Sequence, residues 1–171
     1  MDAGVQSIAQ ALGWLDATSL AVFIRESPWG FPAIESVHVI ALALVVGTIA
    51  IVDLRLLGFA STRCAFTQLS REVLPWTWAA FVLAAISGGL MFVSKPFEYY
   101  ENTAFRIKIV LLLLAGLNMM VFQLITHRSV SRWDRAAAVP LPGKVAGTLS
   151  LLFWIAIVFF GRRIGFTMSP F

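Results

Sequence analysis

The chain has 171 residues, of which 59% are hydrophobic and only 13% are charged. Soluble domains are about half apolar and a quarter charged, so a soluble protein of this length could not bury so much apolar surface. The net charge of +4 does not indicate nucleic-acid binding, because the Lys and Arg residues form no basic and aromatic cluster. The single cysteine excludes an internal disulfide and any multi-cysteine metal site. These quantities predict one integral membrane domain, residues 1–171.

The N-terminal segment predicts an amphipathic helix over residues 3–24. Val5, Ile8, Leu12 and Leu15 recur at spacings of three and four, as on one face of a helix. The segment is too polar to span a membrane, so we expect it to lie in the interface or to pack against the bundle. No basic region precedes it, so no cleavable signal peptide is expected.

Four later segments are apolar enough to cross a bilayer, for which about 20 residues are needed. Prolines mark their ends: Pro28 and Pro32 precede the first, and Pro75 is expected to open the second. The fold class is therefore all-α, a polytopic membrane four-helix bundle with an interfacial N-terminal helix. The predicted spans are 33–57, 75–94, 105–126 and 145–161.

Positive charges predict the orientation of the bundle. The loops after the first and third spans carry seven Lys and Arg residues, and the opposite side carries six. Two of those six, Arg106 and Lys108, fall inside the third span, and most acidic residues share their side. Because cytoplasmic loops are enriched in Lys and Arg, both termini are expected in the periplasm of a bacterial inner membrane.

The first span carries ionisable residues at both ends, Glu35 and His38 at one and Asp53 and Arg55 at the other. Such groups are costly in hydrocarbon, and they are usually paired or functional. Glu35 and His38 are three residues apart and share a helix face, a spacing that can present two metal ligands. The alternative is that Glu35 caps the helix and His38 makes a buried hydrogen bond.

His38 and His127 are the only histidines, and one chain cannot place both on the same haem iron. Their depths differ by about 18 residues, or roughly 27 Å at 1.5 Å per residue. Met91, in the antiparallel second span, is expected near the depth of His38, and His/Met ligation of haem b is well known. The same pair, with Met168, would instead suit Cu(I), although ordinary packing is the more common role of a methionine.

Lys108 opens the third span at a depth similar to that of Glu35 and His38. With Arg106 it would form a cationic wall for a propionate, quinone or phosphate group, or it would pair with Glu35 or snorkel to the surface. At the other end, Asp53 and Arg55 do not face each other. An ion network is expected there, of Asp53 with Arg71 or Arg128 and of Arg55 with Asp134 or lipid phosphate. Asn118 is expected to make a contact between helices.

Three stretches carry a resemblance: WGFPAIESVHVIALALVVGTIAIVDLRLLG, FRIKIVLLLLAGLN and LFWIAIVFFGRRIGF. They resemble an uncharacterised bacterial family of small four-helix membrane proteins, which implies no activity. The chain is also distantly similar to two further groups of membrane proteins, which have a histidine, an arginine and a lysine at the positions of His38, Arg55 and Lys108. Similarity to the HemJ-type protoporphyrinogen oxidases implies binding of haem b and oxidation of protoporphyrinogen. Similarity to the CopD copper-resistance membrane proteins implies copper movement across the inner membrane.

The leading hypothesis is a redox or electron-transfer protein that binds haem b or a metal near the outer face. His38 and Met91 would be ligands, Lys108 and Arg106 would contact anionic groups, and Glu35 would handle protons. The partner would be a quinone or a porphyrin, and no catalytic residue is identified because the motifs of soluble enzymes are missing. The alternatives are a copper or ion transporter and a structural subunit without cofactor, in a homo-oligomer or beside a partner membrane subunit.

Overall fold

The computed structural model describes residues 3–61, 64–126, 130–134 and 139–168. All regular structure in these ranges is helical, and they contain no strand. The helices are α1 (Ala3–Asp16), α2 (Ser19–Glu26), α3 (Gly30–Leu57), α4 (Phe66–Ser94), α5 (Pro96–Glu101), α6 (Thr103–Val121, continued by a π-helical turn, Phe122–Thr126), α7 (Val130–Trp133) and α8 (Leu141–Thr167).

Helices α3, α4, α6 and α8 are long and apolar enough to cross a membrane, which confirms the predicted fold class. Helix α3 packs against both α4 and α8, and α6 packs against the other side of α8. The backbones of α4 and α6 approach each other less closely, but their side chains meet: the rings of Phe92 and Phe105 stack with centroids 5.5 Å apart. The four helices therefore form a bundle in which α4 and α6 are joined mainly by aromatic side chains.

The N-terminal segment forms two helices instead of the single one predicted over 3–24. Helices α1 and α2 meet at an angle of 59°. Thr18 makes the break, because its side-chain oxygen accepts a hydrogen bond from the backbone N–H of Ala21 and so caps the start of α2. Helix α2 contacts α3 and α4, and Arg25 donates to the carbonyl of Ser94. This segment is thus anchored to the bundle.

Helix α4 begins at Phe66, well before the proline that was expected to open it. Pro75 lies inside the helix. Asp134, from the connection between α6 and α8, supplies the N-terminal cap: its carboxylate accepts the Thr67 N–H and hydroxyl at 2.8 Å, and its carbonyl accepts the Phe66 N–H. A cap supplied by a residue far away in sequence leaves no local signal, so proline alone was a misleading marker.

Arg55 holds the same end of the bundle together. Its side chain is 0% exposed, and it donates to the carbonyls of Cys64 at 3.1 Å and Asp134 at 3.2 Å. The predicted partner Asp134 is therefore confirmed, through its backbone. Arg55 ties the connection after α3 to the connection before α8, next to the left-handed Gly58 that ends α3.

Replacing Asp134 with alanine should lower thermal stability, because the first turn of α4 loses its cap. Loss of a cap costs about 1 kcal/mol. Thermal unfolding in detergent measures the effect, and Glu101→Ala, at an exposed residue, is the control. Equal melting temperatures for the two variants would contradict the capping role.

Candidate functional site

His38, Ser87 and Lys108 meet in one half of the bundle, and we call these three residues the polar centre. His38 Nδ1 lies 3.0 Å from the Ser87 hydroxyl oxygen. The Ser87 hydroxyl itself donates to the Leu83 carbonyl at 2.7 Å. Because that bond uses the only hydroxyl hydrogen, we infer that Nδ1 carries a hydrogen and donates it to Ser87. The lone pair of the imidazole then lies on Nε2.

Lys108 faces this lone pair, with its Nζ 3.5 Å from His38 Nε2. Gly88 leaves room for the imidazole, because a Cβ atom there would lie 3.0 Å from the His38 ring. Gly161 lies beside Lys108, where a Cβ atom would be in ordinary contact with Nζ at 3.7 Å. Each of the four spanning helices therefore contributes a residue to the polar centre or to its wall. The predicted common depth of His38 and Lys108 is confirmed.

The other residues predicted for this region lie around the polar centre and not within it. Glu35 is exposed and takes part in neither salt bridge found among the described residues. Its carboxylate, with that of Glu98, adds to the burial that raises the pKa of Tyr99 in α5 to about 12. Arg106 is exposed and donates to the carbonyl of Glu101 at 3.1 Å.

Met91 packs in an aromatic and aliphatic cluster of Tyr99, Ala104 and Ile164, and Met168 packs against the same cluster. The two methionines therefore share one environment, as a Cu(I) site would need. No group of three His, Cys, Asp or Glu side chains that could hold a metal ion is found among the described residues, but a copper site of His38 with the two methionines is of a different kind and stays a prediction. The contacts of both methionines are those of apolar packing.

The polar centre meets one requirement of a haem ligand and fails another. A ligating histidine is usually held by a hydrogen bond from its second nitrogen, and Ser87 provides that bond. The axial position beyond Nε2, however, is taken by the Lys108 amine. A porphyrin plane does not fit between these two side chains in this conformation.

A second site lies towards the other end of α3, where a cavity of about 200 Å³ is bounded by all four spanning helices. Its walls are mostly apolar and include aromatic side chains. Asp53 and Ser70 line it, and each also has a side-chain oxygen that is buried and lacks a hydrogen-bond partner among the described residues. The lining also includes Trp78, Phe81, Gly116, Met119 and Trp154.

The mouth of this cavity lies between α4 and α6. Trp78 of α4 and Met119 of α6 both line the cavity and are well exposed. These two exposed residues place an opening of the cavity at the outer surface of the bundle, between α4 and α6. We infer that a molecule dissolved in the bilayer can reach Asp53 sideways.

Asp53 does not form the ion pair with Arg71 that the sequence predicted. The carboxylate is 5% exposed, and its polar neighbour is Ser150 of α8, whereas Arg71 is exposed to solvent. The alternative partner Arg128 lies outside the described residues, as does the other histidine, His127. The prediction for Asn118 is confirmed, because it donates to the Ala146 carbonyl at 2.9 Å. Hydropathy identifies Asp53 as unusual, but it gives no sign of the cavity.

An apolar layer separates the two sites. His38 and Asp53 are 15 residues apart on α3, which corresponds to roughly 22 Å along the helix. Between them Ala41, Val45 and Ile157 are fully buried. The polar centre and the cavity therefore lie in opposite halves of the bundle.

Replacing Gly88 with alanine should disturb the polar centre, because the new methyl group would meet the His38 ring at 3.0 Å. Overpacking of this kind costs about 1–3 kcal/mol. Gly89→Ala is a matched control, since a Cβ atom there meets nothing within 4 Å. Thermal unfolding and the imidazole ¹⁵N resonances of His38 should change only in the first variant. Unchanged resonances in Gly88→Ala would refute the described packing.

Comparison with known proteins gives one match. No curated protein and no solved structure matches the chain. In particular, no similarity to HemJ-type or CopD proteins is found. The sequence model of one family matches residues 12–167, which is most of the chain and includes both sites. The protein therefore belongs to a family of unknown function (DUF6644).

Proposed function

We propose that this protein binds a lipid-soluble, ring-bearing molecule of the quinone class, which enters sideways from the bilayer between α4 and α6. The observation that carries this proposal is the cavity at Asp53, whose exposed lining residues lie on α4 and α6. Pockets of small molecules are typically apolar with a few polar groups, and this cavity has that composition. The protein would thus serve a membrane redox reaction as the binding site of its carrier.

The size and the walls of the cavity support a ring as the bound group. An apolar cavity of about 150 Å³ is sufficient for benzene, and this cavity is of about 200 Å³. Trp78 and Phe81 lie edge to face, with ring centroids 5.9 Å apart, on the α4 wall. Aromatic side chains favour a ring that stacks on them or meets their edges. An alkyl tail would leave through the mouth into the lipid.

Filling the cavity should abolish binding of a quinone. Gly116 lines the cavity, and a Cβ atom there meets nothing within 4 Å, so Gly116→Leu should fold and occupy part of the space. Binding of decylubiquinone is measured by quenching of tryptophan fluorescence, because Trp78 and Trp154 both line the cavity. We expect saturable quenching in the wild type and at least a tenfold weaker affinity in Gly116→Leu.

Gly47→Leu is the matched control. It also replaces a glycine of a spanning helix with nothing within 4 Å, but Gly47 does not line the cavity. Its affinity should equal that of the wild type. Failure of the wild type to show saturable quenching would overturn the proposed function and favour a structural subunit.

A second candidate is the haem b protein predicted from the sequence, with His38 as the axial ligand. The orientation of the imidazole favours it, because Ser87 fixes Nδ1 and leaves the lone pair on Nε2. Haem would supply one-electron chemistry, and Ser87 would hold the ring in place. The position of Lys108 disfavours it.

Visible spectra decide this second candidate. Protein purified from cells supplied with haem precursor should show no Soret band if the Lys108 contact persists in the membrane. A Soret band with a sharp reduced α-band, lost in His38→Ala and retained in Arg106→Gln, would establish haem at the polar centre. Copper or proton flux in proteoliposomes tests the transport alternative, and the apolar layer at Ala41 and Val45 leads us to expect none.

A further inference from the structure

Two oxygen atoms in the wall of the cavity need hydrogen-bond partners. Both residues are almost completely buried: Asp53 is 5% exposed and Ser70 is 8% exposed. Asp53 Oδ2 and Ser70 Oγ have no partner among the described residues. Buried polar atoms are nearly always hydrogen-bonded, and those that are not require an explanation. Both residues line the cavity, so a ligand that reaches these two buried oxygens would supply the missing partner.

Two other polar side chains that line the cavity already have hydrogen-bond partners within the bundle. The Asn118 amide donates to the Ala146 carbonyl at 2.9 Å. The Thr77 hydroxyl oxygen lies 2.9 Å from the Thr48 hydroxyl and 3.2 Å from the Val73 carbonyl. Ser150 also lines the cavity and bonds Asp53. In the described part of the chain, Asp53 Oδ2 and Ser70 Oγ are the buried oxygens of the cavity wall that remain for recognition of a ligand.

A carboxylate recognises hydrogen-bond donors. When ionised, its two oxygens only accept, and bonds to a charged acceptor are stronger than bonds between neutral groups. A ketone or quinone oxygen placed against it would add a second acceptor and leave the Asp53 oxygen without a donor. A ring hydroxyl would donate to Asp53, and it has lone pairs for the hydroxyl of Ser70.

We propose that the cavity selects a lipid-soluble ring that carries a hydroxyl donor, the quinol or phenol form, over the corresponding quinone. This inference rests on the proposed function and specifies the ligand of the same cavity. The donor is recognised by Asp53, with Ser70 as the second contact. The remainder of the ring is held by the apolar and aromatic wall that includes Trp78 and Trp154.

The test compares the two oxidation states of one probe. Decylubiquinol and decylubiquinone have the same ring and tail and differ in the hydrogen atoms of the head group. Their affinities are measured anaerobically by tryptophan quenching in wild type, Asp53→Asn and Ser70→Ala. We expect the quinol to bind the wild type about tenfold or more tightly, the ratio that one hydrogen bond to a charged group provides.

Asp53→Asn should bring the two affinities together, because an amide both donates and accepts and so accommodates either head group. Ser70→Ala should reduce the preference by a smaller factor, since only the second contact is lost. If Asp53→Asn does not fold, the wild-type ratio and Ser70→Ala still decide. Gly47→Leu, which lies outside the cavity, is the control, and its ratio should equal that of the wild type.

The outcomes separate this inference from the proposed function. If neither form of the probe binds, the proposed function fails and the inference fails with it. If both forms bind with equal affinity, or if Asp53→Asn keeps the preference for the quinol, only the inference is overturned. A preference for the quinone in the wild type would overturn it as well, and it would indicate that Asp53 is protonated and donates.

Discussion

The close approach of α3 and α8 at Gly147 is the contact on which the candidate cavity depends. A Cβ atom at Gly147 would lie 3.2 Å from the Asp53 carbonyl and from the Leu56 side chain, so any larger residue would push the helices apart. This contact brings Ser150, about one turn further along α8, beside Asp53. Helix α6 also packs against α8, and it meets α4 through aromatic side chains such as Phe92 and Phe105. The cavity lies where this order of helices leaves the space between α4 and α6 incompletely filled.

Buried charge has two different roles at this end of the bundle. Arg55 is completely buried and uses its guanidinium to hold two backbone carbonyls, those of Cys64 and Asp134. Asp53, two residues earlier, is almost as buried but has an oxygen without a partner in the described part of the chain. The role of Arg55 is structural, because its hydrogen bonds hold the segments that connect the helices. A charge that lines a cavity with unmet hydrogen-bonding capacity is a site for a ligand.

The polar centre at His38 is built differently, because its groups satisfy one another. Ser87 orients the imidazole, Lys108 approaches its lone pair, and Gly88 leaves room for the imidazole ring. Side-chain hydrogen bonds between membrane helices contribute about 1 kcal/mol each, so the centre helps to fix the register of α3, α4 and α6. The apolar layer at Ala41, Val45 and Ile157 then keeps it separate from the cavity.

Hydropathy by itself determined the membrane class and the four spans, because a helix in lipid must satisfy its own backbone and needs only a long apolar segment. It also placed His38 and Lys108 at one depth and identified Asp53 and Arg55 as exceptional, since depth follows from residue number at 1.5 Å per residue. Chain position cannot determine which faces of the helices meet. The cap that Asp134 provides for α4, the pairing of Arg55 with carbonyls, and the cavity beside Asp53 all join residues from distant segments. Only the tertiary structure decides such contacts, because they depend on the order and rotation of the helices, which small residues such as Gly147 set through packing.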